Sequence, residues 1–344
     1  MATWQSCPSY TIDLDLPLER RFEKIDRDII AKAMDLLEAI RKEMPPSAAR
    51  LARLLNLRTW WRFSPEAKAI ARYAGLDWRW LMVANVSYDL AVAYLGCSTA
   101  ALPGADGPVV ARNLDWWPEA KLAAASCLLR CVREGKLQYA IAGWPGSIGV
   151  VTGLSGRGFG LVLNAVSSNE PAAKTGYPVL LFLRKVLQDA GDFDQAVRMI
   201  SRQRLCVGAL ITVVGTENPQ RVVIERTPTR AALRWGQAGL PLLATNHYRA
   251  IQQPGATGPN AEPSPNAEPS PDEKMPVKVE VPCGRYEALG RLTADLLAAG
   301  RIDTPALLYA LTDEQVMQSI TAQHVVMQPS RERIEMFVPR RLMG

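Results

Sequence analysis

Apolar residues at Ile25, Ile29, Ile30, Ala33, Leu36, Leu37 and Ile40 recur at three- and four-residue steps, the stripe of an amphipathic helix. Lys24, Arg27, Lys32 and Arg41 lie on its polar face among acidic residues, so the stripe either packs on its own domain or rests against lipid. Pro45, Pro46 and Ser47 end this helix. The whole stretch 18–96 reads as mainly helical, with Trp60, Trp61, Trp78 and Trp80 in a Trp- and Arg-rich segment suited to lining an apolar cleft. From Cys97 onward the period changes. β-prone runs at 97–102, 108–114, 125–133, 137–142, 148–153 and 159–165 are separated by turn residues. Helices are expected near 178–190 and 192–203, strands at 207–214, 221–226 and 230–235, helices at 285–299 and 304–310, and closing strands near 320–327 and 332–338. This succession predicts an α+β protein of two antiparallel sheets stacked between helical layers.

Two segments interrupt the pattern. Ser155-Gly156-Arg157-Gly158-Phe159-Gly160 has the glycines of a phosphate loop, but no Lys-Ser/Thr follows and it joins two β-prone runs, so it reads as a hairpin turn. In 253–276, Pro259-Asn260-Ala261-Glu262-Pro263-Ser264 returns at once as Pro265-Asn266-Ala267-Glu268-Pro269-Ser270. Such a Pro/Ser/Glu-rich stretch cannot bury a core and predicts a flexible surface insertion, either tolerated or acting as a lid.

At 344 residues, 48% hydrophobic and 22% charged, the chain can bury one large core. Its formal net charge of +6 favours anionic partners such as phospholipid surfaces or carboxylated acyl substrates, and is too dispersed to argue nucleic-acid binding. Met1 to Tyr10 lacks the charged start and apolar core of a signal peptide, and no run is long enough to span a membrane, so a cytoplasmic protein is expected. Cys7, Cys127, Cys131, Cys206 and Cys283 read as reduced, buried small hydrophobes. Cys127 and Cys131 have no nearby Cys or His pair to complete a metal site, so neither a metal nor a cofactor is expected.

Cys97 has different neighbours. It stands in Leu95-Gly96-Cys97-Ser98-Thr99, and fifteen residues on the chain reads Arg112-Asn113-Leu114-Asp115. A thiol attacks well only as thiolate, with a free pKa near 8.5, so it needs a base or a positive charge beside it. Only two histidines are present, His247 and His324. Scission of the Gly96–Cys97 bond would instead free an α-amine, whose reference pKa of about 7.7–8.0 suits it to take the thiol proton. Arg112 would favour the thiolate, and Asp115 would hold the new amine by a charge-assisted hydrogen bond. One hairpin carries all three, with its turn at 103–108. Arg112 and Asp115, three apart, face opposite sides of an ideal strand, so a bulge or the end of the strand must bring both to the thiol.

Further segments stand in a fixed order around these residues: Tyr10-Thr11-Ile12-Asp13-Leu14-Asp15-Leu16-Pro17, Asn85-Val86-Ser87-Tyr88-Asp89-Leu90, Gly149-Val150-Val151-Thr152-Gly153, Thr245-Asn246-His247-Tyr248 and Gly284-Arg285-Tyr286-Glu287-Ala288-Leu289. With Arg112-Asn113-Leu114-Asp115 they make the chain resemble the acid ceramidase and N-acylethanolamine acid amidase family, within the choloylglycine hydrolase group of N-terminal-nucleophile hydrolases. The resemblance covers most of the chain. It implies a four-layer αββα sandwich, with Cys97 as nucleophile and, after cleavage, base. Arg112 and Asp115 would flank it, Asn246 would donate its side-chain amide to the oxyanion, and Arg285 would lie near the site. Asn164, Tyr88 and Trp144 are candidate substrate contacts, with the core as the alternative for Tyr88 and local packing as the reading for His247. One position departs: Asn164-Ala165 stands where acid ceramidase has an Asn-Glu pair, and this looks more like the acyltransferases related to penicillin biosynthesis.

The resulting expectation is a self-processing amidase cleaved between Gly96 and Cys97. Residues 1–96 would form a helical small subunit and 97–344 a catalytic αββα large subunit, associated after cleavage. A linear fatty N-acyl amide, N-acylethanolamine or ceramide-like, would pass through an acyl-thioester on Cys97, with transient contact to a membrane or micelle surface. An acyltransferase of the penicillin acyltransferase-like type stays open, as does a non-catalytic lipid-binding protein.

Overall fold

The computed structural model describes residues 3–91, 96–252 and 282–343. The expected insertion at 253–276 and the side chain of Cys283 lie outside the described residues. The chain opens with β1 (Trp4–Ser6) and β2 (Ser9–Asp13) and continues through α1 (Arg27–Lys42), α2 (Leu51–Arg58), α3 (Ser64–Ala74), α4 (Trp78–Ala84) and α5 (Ser87–Ala91). Next come β3 (Gly96–Leu102), β4 (Val109–Asp115), α6 (Glu119–Ala125), β5 (Cys127–Arg133), β6 (Lys136–Gly143), β7 (Thr152–Ser155) and β8 (Phe159–Asn164). After α7 (Val179–Asp189) and α8 (Phe193–Arg202) follow β9 (Ala209–Val214), β10 (Arg221–Arg226), β11 (Ala231–Trp235) and β12 (Leu242–Ala244). The chain closes with α9 (Pro282–Ala298), α10 (Thr304–Leu311), β13 (Thr321–Gln328) and β14 (Arg333–Pro339).

The strands form a six-stranded sheet, β1-β14-β13-β4-β3-β12, and an eight-stranded sheet, β11-β10-β9-β8-β7-β6-β5-β2. Every named pairing is antiparallel except β2 with β5. Three apolar layers hold the stack. Ala101, Val110, Leu154, Val162, Val325 and Met327 meet between the sheets. Leu102, Val109 and Leu243 pack outward on Leu289, Leu307 and Leu311 of α9 and α10. Leu129, Ile141, Leu161 and Ile211 pack outward on Leu181, Val186 and Ile200 of α7 and α8, and on the N-terminal helices. β3 and β4 lie inside this stack and are buried along their whole length. The architecture is the four-layer αββα sandwich that the pattern predicts.

The stripe of α1 is buried at Ile29, Ile30, Ala33, Leu36, Leu37 and Ile40, so it packs on its own protein and is not a lipid-facing surface. Trp60 and Trp61 lie at the surface. They are 84% and 53% exposed, and only Trp78 and Trp80 of that group pack on the core. The run expected as a strand at 148–153 becomes one only from Thr152, because Asn85 Oδ1 accepts the Ile148 and Gly149 amides at 2.7 and 2.8 Å and holds them as a loop. The short strands β1, β2 and β12 and the helix α6 have no counterpart among the predicted elements. They depend on partners distant in sequence.

Candidate active site

β3 and β4 pair in continuous register, Gly96 opposite Asp115, Cys97 opposite Leu114 and Thr99 opposite Arg112. Opposed residues of an antiparallel pair share a face, and faces alternate along each strand. Cys97, Thr99, Arg112 and Leu114 therefore point between the sheets, while Gly96, Ser98 and Asp115 point toward α9. No bulge intervenes in this hairpin. The register shift lies in the β13–β4 pairing, between Thr321 and Gln323. The expectation that Asp115 is gathered beside the thiol is thus corrected: it lies across the strand from it.

On the inner face, Arg112 Nη2 donates to Cys97 Sγ at 3.1 Å and to the Leu163 carbonyl at 3.1 Å, and Nη1 donates to Thr152 Oγ1. The guanidinium ties β4 to β7 and β8 across the sheets, which fixes a positive charge at the sulfur. On the outer face, Arg285 Nη1 donates to Asp115 Oδ2 at 3.0 Å, to Ser98 Oγ at 3.1 Å and to the Cys97 carbonyl at 3.3 Å. Thr321 Oγ1 donates to the other Asp115 oxygen at 2.6 Å. Burial pushes the Asp115 carboxyl up, against the pull of Arg285 beside it. Arg112, Arg285 and Asp115 are each at most 1% exposed, so water screens these charges little.

Asn246 joins the two faces. Its Oδ1 accepts the Cys97 amide at 3.2 Å and Arg285 Nη2 at 2.6 Å, and its Nδ2 donates to the Ala165 carbonyl at 2.7 Å. Two donors on one atom settle the orientation of this amide. One of the two N–H donors of its amide is thereby engaged by Ala165. Asn164 sits one layer below, accepting from Thr99 Oγ1 at 2.8 Å and donating to the Ala244 carbonyl at 3.0 Å. Buried, it braces β8 against β3 and β12. Gly96 has no space for a side chain: a Cβ there would lie 2.9 Å from Asp115 Oδ2.

Two expected substrate contacts separate. Tyr88 is buried and its hydroxyl donates to the Gly208 carbonyl at 2.8 Å, so its assignment as a substrate contact is corrected to a core post between α5 and the start of β9. Trp144 lines an apolar cleft of about 50 Å³ together with Leu36, Ile40, Leu114, Trp116 and Leu180. Leu114, which lines this cleft, is the cross-strand neighbour of Cys97. His247 lies against Tyr286 and Thr245, and burial holds its ring near pKa 4. Burial alone pushes the Cys7 thiol up to about 12, and it dominates in raising Cys206 to about 12 and Cys131 to about 11, a setting for inert thiols. Cys97 differs from them in having a guanidinium on its sulfur. Sequence reasoning assigned no role to Thr152, Thr321 or Asn85, which buttress Arg112, Asp115 and the 146–149 loop. Thr152 and Asn85 fall within the segments that carry the resemblance, while Thr321 becomes visible only through its register opposite Asp115.

The sequence profile of the acyl-coenzyme A:6-aminopenicillanic acid acyl-transferase family matches residues 103–274, half of the chain. Arg112, Asp115, Asn164 and Asn246 fall inside that span. The chain is similar to the N-acylethanolamine-hydrolyzing acid amidase of Caenorhabditis elegans, 27% identical over an alignment of 249 residues, with 65% of this chain and 68% of that protein covered. The solved structure of a Caenorhabditis elegans N-acylethanolamine-hydrolyzing acid amidase ortholog superposes with a TM-score of 0.52 at 21% identity, covering 68% of this chain and 93% of that one. A conjugated bile acid hydrolase from Clostridium perfringens gives a TM-score of 0.42 at 13% identity, covering 72% of this chain and 94% of that one.

Proposed function

The chain belongs to the acyl-coenzyme A:6-aminopenicillanic acid acyl-transferase family and has the α+β fold of N-terminal-nucleophile hydrolases, and from that premise we propose that it is a self-processing cysteine amidase of linear amide C–N bonds. The observation that carries the reading is Arg112 Nη2 at 3.1 Å from Cys97 Sγ, on a residue whose preceding peptide bond is flanked by Gly96, Asn246, Asp115 and Arg285. Processing begins when Cys97 Sγ attacks the Gly96 carbonyl carbon. The C–N bond breaks, the nitrogen takes the thiol proton, and Gly96 is left as a thioester on Cys97. Water cleaves the thioester, releasing the Gly96 carboxylate and restoring the thiol beside a free α-amine. Departure of Gly96 opens the space in front of Asp115 Oδ2, and the carboxylate then holds the ammonium form of that amine.

In turnover the amine takes the thiol proton, sulfur attacks the substrate carbonyl, and the amine returns the proton to the leaving nitrogen. Arg112 stabilises the negative charge on sulfur. Asn246 Nδ2 carries two N–H bonds, one of them on the Ala165 carbonyl, and the other would serve the oxyanion. Water then resolves the acyl-thioester. A fatty N-acyl amide is the proposed substrate class, supported by the activity named for the nematode relative and by the apolar cleft beside Leu114. Space of about 50 Å³ holds one or two waters, so a long acyl chain must displace side chains such as Trp144 and Leu36.

The family's own description favours a second reading, in which an amine intercepts the acyl-thioester and the site transfers the acyl group. Added amine acceptors divert product from free acid in that case and leave it unchanged in the hydrolase. The deciding experiment is intact mass under denaturing conditions, for wild type and Cys97→Ala, after incubation at mildly acidic and neutral pH. Two fragments divided before Cys97 in wild type and one chain in the variant are expected. A single chain in both overturns the self-processing mechanism.

A further inference from the structure

β11 forms one edge of the eight-stranded sheet, with β10 on one side and no strand on the other among the described residues. Edge strands usually carry a lysine, a proline or a bulge that stops them pairing with another chain. Ala231-Ala232-Leu233-Arg234-Trp235 has none of these, and its register with β10 is unbroken. The hydrogen bonds that flank this pairing fix which backbone groups point outward. The Gly236 amide donates to the Arg221 carbonyl at 2.7 Å, and at the turn the Thr227 amide donates to the Arg230 carbonyl at 3.1 Å. Hydrogen-bonded pairs alternate along an antiparallel ladder, so Ala232 and Arg234 turn their backbone groups to β10. Ala231, Leu233 and Trp235 turn theirs to the open edge.

The side chains of these same residues are exposed. They share a face with Val222 and Ile224, their neighbours in β10, which pack toward α7 and α8. Leu233 is 38% and Trp235 51% exposed, apolar surface at the rim of that helical layer. Arg234 points the other way, its Nε 2.7 Å from Glu225 Oε1. A second copy paired antiparallel about a two-fold axis at Leu233 complements each of these features. Ala231, Leu233 and Trp235 then exchange both backbone hydrogen bonds with their opposites. Leu233 meets the second copy's Leu233, Trp235 meets Ala231, a large side chain against a small one, and Arg234 meets Ala232, so arginine is not set against arginine. The charge on α8 fits the same axis. Phe193 at its start touches Trp235, ring centroids 6.2 Å apart, and near its end the Ile200 and Gln203 carbonyls accept from Arg226, which lies opposite Ala231. Exposed Asp192 and Asp194 therefore stand at the Trp235 end, and exposed Arg198 and Arg202 toward the Ala231 end. The two-fold axis reverses the second α8, which brings acidic ends to basic ends and sets the helix dipoles antiparallel.

We propose that β11 is a dimerisation edge, joining the eight-stranded sheets of two copies of this chain into one continuous sheet, independent of the chemistry at Cys97. The test is sedimentation velocity of the full chain at about 1 and about 100 μM, a range that spans the weak affinities of small interfaces. Wild type should shift from the mass of one chain toward that of two as concentration rises, and shift less in about 0.5 M salt. Leu233→Lys sets lysine against lysine on the axis and should weaken association by about tenfold or more. Asp194→Arg and Arg202→Asp should each weaken it by about tenfold, since every contact occurs twice across the axis, and the combined swap should restore it. The swap leaves β11 untouched and preserves net charge, so recovery separates the interface from any folding defect. A wild type that stays monomeric at both concentrations overturns the proposal, and so does a dimer that Leu233→Lys leaves intact. Failure of the swap to recover overturns the antiparallel arrangement on which the proposal rests.

Discussion

At the scale of single residues, the peptide bond before Cys97 is held from both faces of one strand. Arg112 reaches the sulfur from between the sheets, and Arg285 reaches the Cys97 carbonyl from the helical side, with Asp115 against it. Gly96 completes this arrangement by having no Cβ. A methyl group there would lie 2.9 Å from Asp115 Oδ2 and 3.1 Å from Asp115 Cβ, so Gly96→Ala must push the carboxylate off Arg285 or rotate the bond to be cut. A displacement costing only about 1.4 kcal/mol in the transition state slows processing tenfold. Gly96→Ala is therefore expected to stay largely uncleaved while wild type is cleaved, as read by the rate at which two fragments appear on denaturing gels. Cleavage at the wild-type rate would refute the role given to the close contact. Strand alternation alone places Arg112 and Asp115 on opposite faces. What one strand's sequence cannot supply is the second arginine, 170 residues away, that makes the opposite face part of the same site.

At the scale of elements, β4, β13 and α10 are latched by two side chains that periodicity treats as ordinary strand residues. His324 of β13 lies opposite Asn113 of β4, its Nδ1 2.7 Å from Asn113 Oδ1, and Asn113 Nδ2 donates to the Leu311 carbonyl at the end of α10. Because Asn113 Oδ1 accepts, Nδ1 carries the proton, and Nε2 is left buried without a partner. Protonating the ring would place a bare charge in the core, so burial holds the His324 pKa near 4, below the ordinary 6.5. The unfolded chain then binds a proton below about pH 6.5 that the folded chain refuses until about pH 4. Stability from this group is complete above pH 6.5 and is lost as pH falls toward 4, by up to about 3 kcal/mol. Urea unfolding of wild type between pH 7 and 4.5 should show that loss, and His324→Gln, which keeps a donor for Asn113 and does not titrate, should show a shallower one. Equal slopes would remove His324 as the cause. The elements themselves are legible where period and partner agree, as in α7, β10 and α10. The two-residue contact of β12 with β3 beyond its first pair, and the parallel pairing of β2 with β5, depend on tertiary neighbours and leave no mark on local pattern.

At the scale of the whole molecule, the segment before Cys97 is woven into both sheets. β1 pairs with β14 at the edge of one sheet and β2 with β5 at the edge of the other, so removing residues 1–96 would strip a strand from each. The stripe of α1 closes the apolar layer over Leu129 and Ile141, and burying its five large aliphatic side chains contributes on the order of 10 kcal/mol before ordering costs. The edge pairings of β1 and β2 and the packing of α3 and α4 add to this, so the two fragments would share one large apolar interface. Processed protein is therefore expected to elute from native size exclusion at the position of the intact chain, with both fragments in one peak, and to separate only in denaturant. A large fragment that elutes alone and keeps its thermal transition would overturn this, because the exposed edges of β5 and β14 and the uncovered face of the eight-stranded sheet would then have to be tolerated by water. By the same interleaving, the proposed cleavage would free one end beside Asp115 while both sheets keep every strand, so a site could be completed without dismantling the fold.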